Sequence, residues 1–122
     1  MVKIDHFYVT VTDLNQAIKF YQLLLQKDIS HREGDRWADF SQEQSVYLGI
    51  FNATINSEEF SIGSSPTLCL KTDNIILERE RILTLHPKSI TNIVSITQPA
   101  LYKYFWFEDL WGNKWEVAEY NY

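Results

Sequence analysis

Two stretches of the chain share one local pattern, and this repetition limits the folds that the chain can adopt. Residues 6–11 and 66–71 are extended, largely apolar runs. Each is followed by a Thr-Asp pair (12–13 and 72–73) and then by a helical pattern. Repeated units of this kind bury their apolar faces by packing beside one another. The repeat therefore predicts two similar modules.

The first half of the chain predicts one strand, one helix and three further strands. Ile4 to Val11 is rich in β-branched and aromatic residues, which favours a strand. Asp13 is a good N-cap, and Gln16 follows three residues later, as in a capping box. Apolar residues at helical spacing then predict a helix that ends near residues 27–28. The three further strands are predicted at 29–31, 37–40 and 46–51.

The second half repeats this order after a polar segment at 52–65, which is the predicted linker. A strand is predicted at Thr67–Leu70, with Asp73 as the cap of a helix over 74–85. Three strands, at 89–96, 102–107 and 114–120, complete the second module. The 122 residues thus predict a single domain of modules 1–55 and 66–122. Its class is α+β: paired βαβββ modules that form a curved mixed sheet around a cleft, with the helices outside.

Charge and apolar runs narrow the classes of partner. The net charge is −5 and no cluster of Lys and Arg occurs, which argues against a nucleic-acid partner and suits a neutral or cationic ligand. No apolar run approaches the roughly 20 residues that span a bilayer. The N-terminus does not predict a signal peptide, so we expect no membrane association and a cytoplasmic protein. Cys69, the single cysteine, lies in an apolar run and is predicted to be buried and reduced.

The two ends of the chain resemble a known superfamily. Ile4-Asp5-His6 leads to Asp13-Leu14, and the segment 107–117 reads FEDLWGNKWEV. These motifs resemble the vicinal oxygen chelate superfamily, which includes glyoxalase I, extradiol dioxygenases and bleomycin resistance proteins. Leu110 and Trp111 replace the usual Pro and Asp or Asn of the C-terminal motif. The resemblance covers essentially the whole chain and implies the paired-module fold.

The resemblance also implies where a metal would bind. Members that use a metal draw ligands from the first and fourth strands of each half, which here are His6, the region 48–49, Thr67 and Glu116. The imidazole nitrogen of His6 and the carboxylate oxygen of Glu116 are suitable ligands for Zn, Ni, Fe or Mn. The other two positions hold no His or carboxylate. The implied metal site is therefore incomplete, and His31 as a third ligand would be an arrangement new to the family.

Two functions of different class follow. The first is a binding protein without a complete metal site or other cofactor, which resembles bleomycin resistance proteins and acts as a homodimer. It would hold an apolar or planar small molecule in an aromatic-lined cleft. Aromatic residues are 15% of the chain; as a group they are expected mainly to fill the core, and a subset would stack on the ligand. The candidates are Trp37, Tyr47, Phe51, Tyr104, Trp106 and Trp111.

The second function is a metal-dependent lyase or dioxygenase of the glyoxalase or extradiol type. His6 and Glu116 would be its catalytic residues and metal ligands. A metal-free variant would use His6 or Glu116 as a general base. The sequence leaves open whether the protein is an enzyme.

Overall fold

The computed structural model describes residues 4–42, 45–54, 67–97 and 101–120. The chain divides into two compact units, Met1–Ser65 and Pro66–Tyr122. Most of the predicted linker, and Pro66 of the second repeat copy, lie outside the described residues. Within the described ranges, no helix is long and apolar enough to cross a membrane.

In its described residues, the first unit has a four-stranded mixed sheet and one helix. Its elements are β1 (His6–Val11), α1 (Leu14–Leu25), β2 (His31–Glu33), β3 (Trp37–Asp39) and β4 (Tyr47–Asn52). The strand order is β1-β4-β3-β2, with β1 parallel to β4 and the other pairs antiparallel. Helix α1 begins as predicted, because Asp13 Oδ1 accepts a hydrogen bond from the Gln16 backbone N at 3.0 Å.

The end of helix α1 and the start of strand β2 both differ from prediction. Helix α1 ends at Leu25, because Gln26 adopts a left-handed conformation (φ 55°). Strand β2 begins at His31 rather than at Ile29. The backbone N of Ile29 donates to Gln22 Oε1 at 3.0 Å, so this residue belongs to the connection after α1.

The core of the first unit lies between one face of this sheet and α1. Val9, Val11 and Ile50 are fully buried on that face, and Ala17 and Tyr21 are fully buried on the helix. Since strand side chains alternate, the opposite face carries another set. On β1, β3 and β4, that set is His6, Tyr8, Thr10, Trp37, Asp39, Tyr47, Gly49 and Phe51.

The second unit repeats this plan with one strand interrupted. Its elements are β5 (Leu68–Lys71), α2 (Ile75–Leu83), β6 (Ser89–Ile90), β7 (Val94–Ile96), β8 (Tyr102–Glu108) and β9 (Lys114–Tyr120). The order is β5-β9-β8-β6, and β7 also pairs with β8. The single strand predicted at 89–96 is therefore wrong. Between β6 and β7, the Thr91 hydroxyl accepts from the Trp106 backbone N at 2.8 Å and takes the place of a ladder partner.

The cap of α2 corrects the register of the repeat. Asn74, not the predicted Asp73, is the N-cap, since Asn74 Oδ1 accepts from the Leu77 backbone N at 3.1 Å. The backbone N of Asn74 in turn donates to Thr72 Oγ1 at 3.1 Å. Relative to its Thr-Asp pair, the second helix therefore begins one residue later than the first. Aligning Asn74 with Asp13 places Thr67 at the position equivalent to His6.

The turn between β8 and β9 is built around one buried carboxylate. Asp109 Oδ1 accepts from the backbone N of Trp111 at 2.9 Å and of Asn113 at 2.8 Å. Its Oδ2 accepts from Asn113 Nδ2 at 2.8 Å, and both side chains are fully buried. Gly112 has φ +85°, a conformation that favours glycine. The C-terminal motif therefore has a structural role in closing this turn.

Candidate functional site

Five rings cover one face of the first sheet. His6 stacks on Tyr47 with ring centroids 5.0 Å apart and an interplanar angle of 15°. Trp37 makes edge contacts with His6 at 5.5 Å and with Tyr8 at 5.8 Å. Tyr8 also meets Phe51 edge-on at 6.1 Å. We call His6, Tyr8, Trp37, Tyr47 and Phe51 the ring cluster; it extends over β1, β4 and β3.

Trp37 reaches the middle of the cluster because β4 has a glycine there. A Cβ atom at Gly49 would lie 2.5 Å from Trp37 Cζ2, and closer still to Cη2. The indole thus lies directly over the Gly49 backbone. Trp37 Nε1 donates to Asp39 Oδ2 at 2.7 Å, and the Ser41 backbone N donates to Asp39 Oδ1 at 3.2 Å. The carboxylate of Asp39 therefore fixes the orientation of the ring.

Two carboxylates border the ring cluster. Burial alone would raise the pKa of Asp39, but hydrogen bonds from Trp37 and Ser41 and the charge of His31 hold this pKa below its ordinary value of 3.8. Asp5 Oδ2 lies 2.6 Å from His6 Nδ1 and accepts from the Tyr47 hydroxyl at 3.2 Å. Desolvation and the Asp5 carboxylate raise the pKa of Tyr47. The edge of the cluster is thus acidic at neutral pH.

The lowered pKa of Asp39 predicts how acid affects stability. A carboxyl whose folded pKa is depressed contributes stability that is present above its ordinary pKa of 3.8 and is lost as pH falls through the folded value. We expect Asp39→Asn to be less stable than wild type at about pH 7 and the difference to shrink towards about pH 2. Thermal unfolding by circular dichroism across this range measures it. A difference that does not change with pH would contradict the prediction.

The second unit carries a row of rings on one sheet face. Tyr102, Tyr104 and Trp106 follow one another along β8, with neighbouring centroids 5.8 Å apart. Tyr120 stacks on Tyr102, also at 5.8 Å. We call these four residues the ring row. Lys114 Nζ lies 3.6 Å from the Trp106 ring centroid, so a cation of the protein itself occupies a cation–π position on that ring.

Glu116 has a tryptophan and a cysteine as its neighbours on the adjacent strands. Glu116 Oε1 accepts from Trp106 Nε1 at 3.1 Å. Cys69, its partner on β5, is exposed, so the prediction that this cysteine is buried is wrong. Partial burial, together with the hydrogen bond and charge of Glu116, raises the pKa of the Cys69 thiol, which disfavours the reactive thiolate.

The positions implied for a metal hold different residues in the two units. Glu116 pairs with Cys69 in the second unit, and the equivalent pair in the first unit is Gly49 with Tyr8. Gly49 offers no ligand, and the Trp37 ring occupies the space that a side chain there would need. Thr67 offers a neutral hydroxyl at the position equivalent to His6. Within the described ranges, no group of three or more His, Cys, Asp or Glu could hold a metal ion. These residues do not fit the metal site that the resemblance implies.

The structure distributes the predicted site residues over both units. It brings His6, Trp37, Tyr47 and Phe51 together in the first unit, and Tyr104, Trp106 and Glu116 together in the second. Trp111 lies in the turn between β8 and β9 rather than on the sheet face. A site shared by His6 and Glu116 stays a prediction. The residues that the sequence analysis missed are Asp5, Tyr8, Asp39, Tyr102, Lys114 and Tyr120. Alternation along β1 would have placed Tyr8 beside His6.

Solved structures of known proteins have the same fold. A glyoxalase/bleomycin resistance protein/dioxygenase superfamily member from Sphaerobacter thermophilus matches with a TM-score of 0.75 at 15% identity, covering 98% of this chain and 98% of that one. A glyoxalase/bleomycin resistance protein/dioxygenase from Nocardioides matches at 0.72 and 19% identity, covering 98% and 84%. The chain has the vicinal oxygen chelate fold. The predicted α+β class and the predicted resemblance are thus confirmed at the level of the fold.

Two further comparisons bear on the use of this fold. TnmS3, an antibiotic binding protein from Streptomyces, matches with a TM-score of 0.71 at 20% identity, covering 99% of this chain and 98% of that one. Searches against protein-family models and against curated proteins give no match. The TM-scores show a shared fold, and identities of 15–20% show the fold alone. This fold hosts several chemistries.

Proposed function

We propose that this protein binds a planar, cationic small molecule on the ring cluster, without a complete metal site. The observation that carries the proposal is the continuous set of ring contacts across β1, β4 and β3, with Trp37 held in place by Asp39. Rings fixed before the ligand arrives lose little conformational entropy on binding. A flat ligand that stacks on them would gain dispersion and quadrupole contacts.

Charge favours a cation over an anion as the ligand. The carboxylates of Asp5 and Asp39 border the ring cluster, and the chain carries a net charge of −5. A cation near an aromatic face and a carboxylate gains from both. Arg36, with its guanidinium carbon 5.6 Å from the Phe51 ring centroid, brings positive charge to the Phe51 side of the cluster. The cationic part of the ligand is therefore expected on the side of Asp5 and His6. The antibiotic-binding function of TnmS3, which shares the fold, is consistent with this class of function.

A dye titration tests the proposal. Proflavine, a planar cation, and a planar aryl sulfonate of similar size would be titrated into the protein, with dye fluorescence as the signal. We expect proflavine to bind more tightly than the sulfonate. We expect Trp37→Ala to weaken proflavine binding by up to about tenfold, since one stacking contact contributes roughly 0.5–1.5 kcal/mol. Trp111→Ala is the matched control outside the sheet face. Failure of wild type to bind proflavine would contradict the proposal.

The metal-dependent alternative has its own readout. Elemental analysis of the purified protein, followed by calorimetric titration with Zn²⁺, Ni²⁺ and Fe²⁺, would detect a functional metal site. Stoichiometric metal that is lost in both His6→Ala and Glu116→Ala would favour a lyase or dioxygenase over the binding function. We expect no stoichiometric metal, because Gly49 and Thr67 offer no ligand of the required kind.

The assembly and location of the protein are part of the proposal. By resemblance, we propose a homodimer that works in the cytoplasm. Light scattering coupled to size-exclusion chromatography would measure a molar mass of two 14.4 kDa chains. A mass of one chain at micromolar concentration would contradict the dimer.

A further inference from the structure

We propose that Asp39 is a positioning residue that sets the specificity of the ring cluster: by holding Trp37 over Gly49, it puts a flat ring at the centre of this sheet face. This inference rests on the proposed function, because it explains why the site would select planar molecules. It goes further in naming a residue that acts on the ligand through another side chain. Asp39 itself is 4% exposed and is not expected to touch the ligand.

The two oxygens of Asp39 have different donors. Oδ2 accepts from the Trp37 indole, and Oδ1 accepts from the Ser41 backbone N. Asparagine has one acceptor oxygen and one NH₂ donor group, so it can satisfy one of these donors and must face the other with an N–H. The site therefore requires a carboxylate rather than any polar side chain of the same shape. This requirement distinguishes Asp39 from a residue that merely fills space.

The position of Trp37 has consequences for two other rings. Its edges meet both His6 and Tyr8, which lie on the neighbouring side of Gly49. Release of the indole would remove the central ring and leave a depression over the glycine backbone. The face would then change from a continuous aromatic surface to a broken one. A flat ligand would lose stacking area.

A double-mutant cycle tests this coupling. Trp37→Phe keeps a ring but lacks the N–H that donates a hydrogen bond to Asp39. Asp39→Asn keeps the shape of the side chain but removes one acceptor oxygen. We expect Asp39→Asn to weaken proflavine binding by about tenfold and Trp37→Phe by a few-fold. In the double variant, the substituted amide can turn its oxygen to Ser41 without opposing an indole N–H. The double variant should therefore bind about as tightly as Trp37→Phe alone, rather than showing the product of both losses.

The indole N–H resonance of Trp37 provides a second readout that a purely structural role would not move in the same way. It is assigned in a ¹H–¹⁵N spectrum by its loss in Trp37→Phe. In Asp39→Asn it should shift upfield and exchange faster with solvent, while the other indole resonances stay in place. Asp35→Asn is the matched control, because it removes the same charge from an exposed carboxylate in the adjacent turn. It should leave both the resonance and the dye affinity unchanged.

The outcomes separate this inference from the proposed function. If wild type does not bind proflavine, the proposed function fails, and the Trp37 resonance still decides whether Asp39 positions the ring. If wild type binds but Asp39→Asn binds equally well with an unchanged Trp37 resonance, the inference is overturned. Additive losses in the cycle would overturn it as well. If Asp39→Asn alone does not fold, restored folding in the Trp37→Phe background supports the inference, and no restoration contradicts it.

Discussion

Asp109→Ala is expected to lower the free energy of unfolding by about 3 kcal/mol or more, the largest effect of any polar substitution proposed for this chain. The carboxylate accepts from two backbone N–H groups and from the Asn113 amide, and the side chains of Asp109 and Asn113 are both fully buried. Alanine would leave these donors without their acceptor, and each unsatisfied buried donor costs roughly 1–3 kcal/mol. The substitution therefore destabilises the turn between β8 and β9.

Urea denaturation followed by circular dichroism measures this effect. Asp73→Ala is the matched control, because it removes an exposed aspartate from the same unit. Asp73 precedes a helix but does not cap it, so its loss should cost less than about 0.5 kcal/mol. Equally small losses for the two variants would contradict the role of Asp109, and equally large losses would contradict the assignment of the cap to Asn74.

Gly49→Ala is expected to lower the free energy of unfolding by about 1–3 kcal/mol and to abolish most proflavine binding, although it adds a single methyl group. The new Cβ would overlap the Trp37 ring, whose position is fixed by Asp39. Relief would require the indole to leave the centre of the ring cluster or β4 to shift. Both changes disrupt the proposed binding surface.

The same substitution in a Trp37→Leu background provides the control. Without the indole over the glycine, an added methyl group has room, and Gly49→Ala should then change stability by less than about 0.5 kcal/mol. The measurement is a urea titration of the four proteins, with dye affinity in parallel. A cost that persists in the Trp37→Leu background would place its origin in the backbone rather than in the contact with Trp37.

The sequence predicted the local elements well where one signal dominated. Asp13 has the cap role that its position predicted, and the strands predicted at 4–11 and 114–120 are present as β1 and β9. The second cap was misplaced because Asp73 and Asn74 are both good capping residues, and the choice between them depends on a hydrogen bond from Asn74 to Thr72. Cys69 was misplaced because its side chain shares a sheet face with Glu116, its ladder partner, and not with the buried Trp115 and Val117.

The candidate site was predictable only in part. Trp37, Tyr47 and Phe51 were selected because they are aromatic residues on predicted strands, and the structure groups them. Asp39 was passed over as a site residue, although it lies two residues after Trp37 on the same strand and hence on the same face. What the sequence did not reveal is that the indole leans across Gly49 towards β1. That arrangement depends on the pairing of β3 with β4, which no local pattern encodes.

Each unit ties a tryptophan N–H to a carboxylate, Trp37 to Asp39 in the first and Trp106 to Glu116 in the second. These pairs occupy different ladder positions, so they are not simply copies of one ancestral contact. Indole fluorescence responds to such a neighbour. The protein thus contains a natural optical probe in each half. Variants that retain one of these tryptophans would allow the melting of the two halves to be recorded separately, and would show whether they unfold together or in sequence.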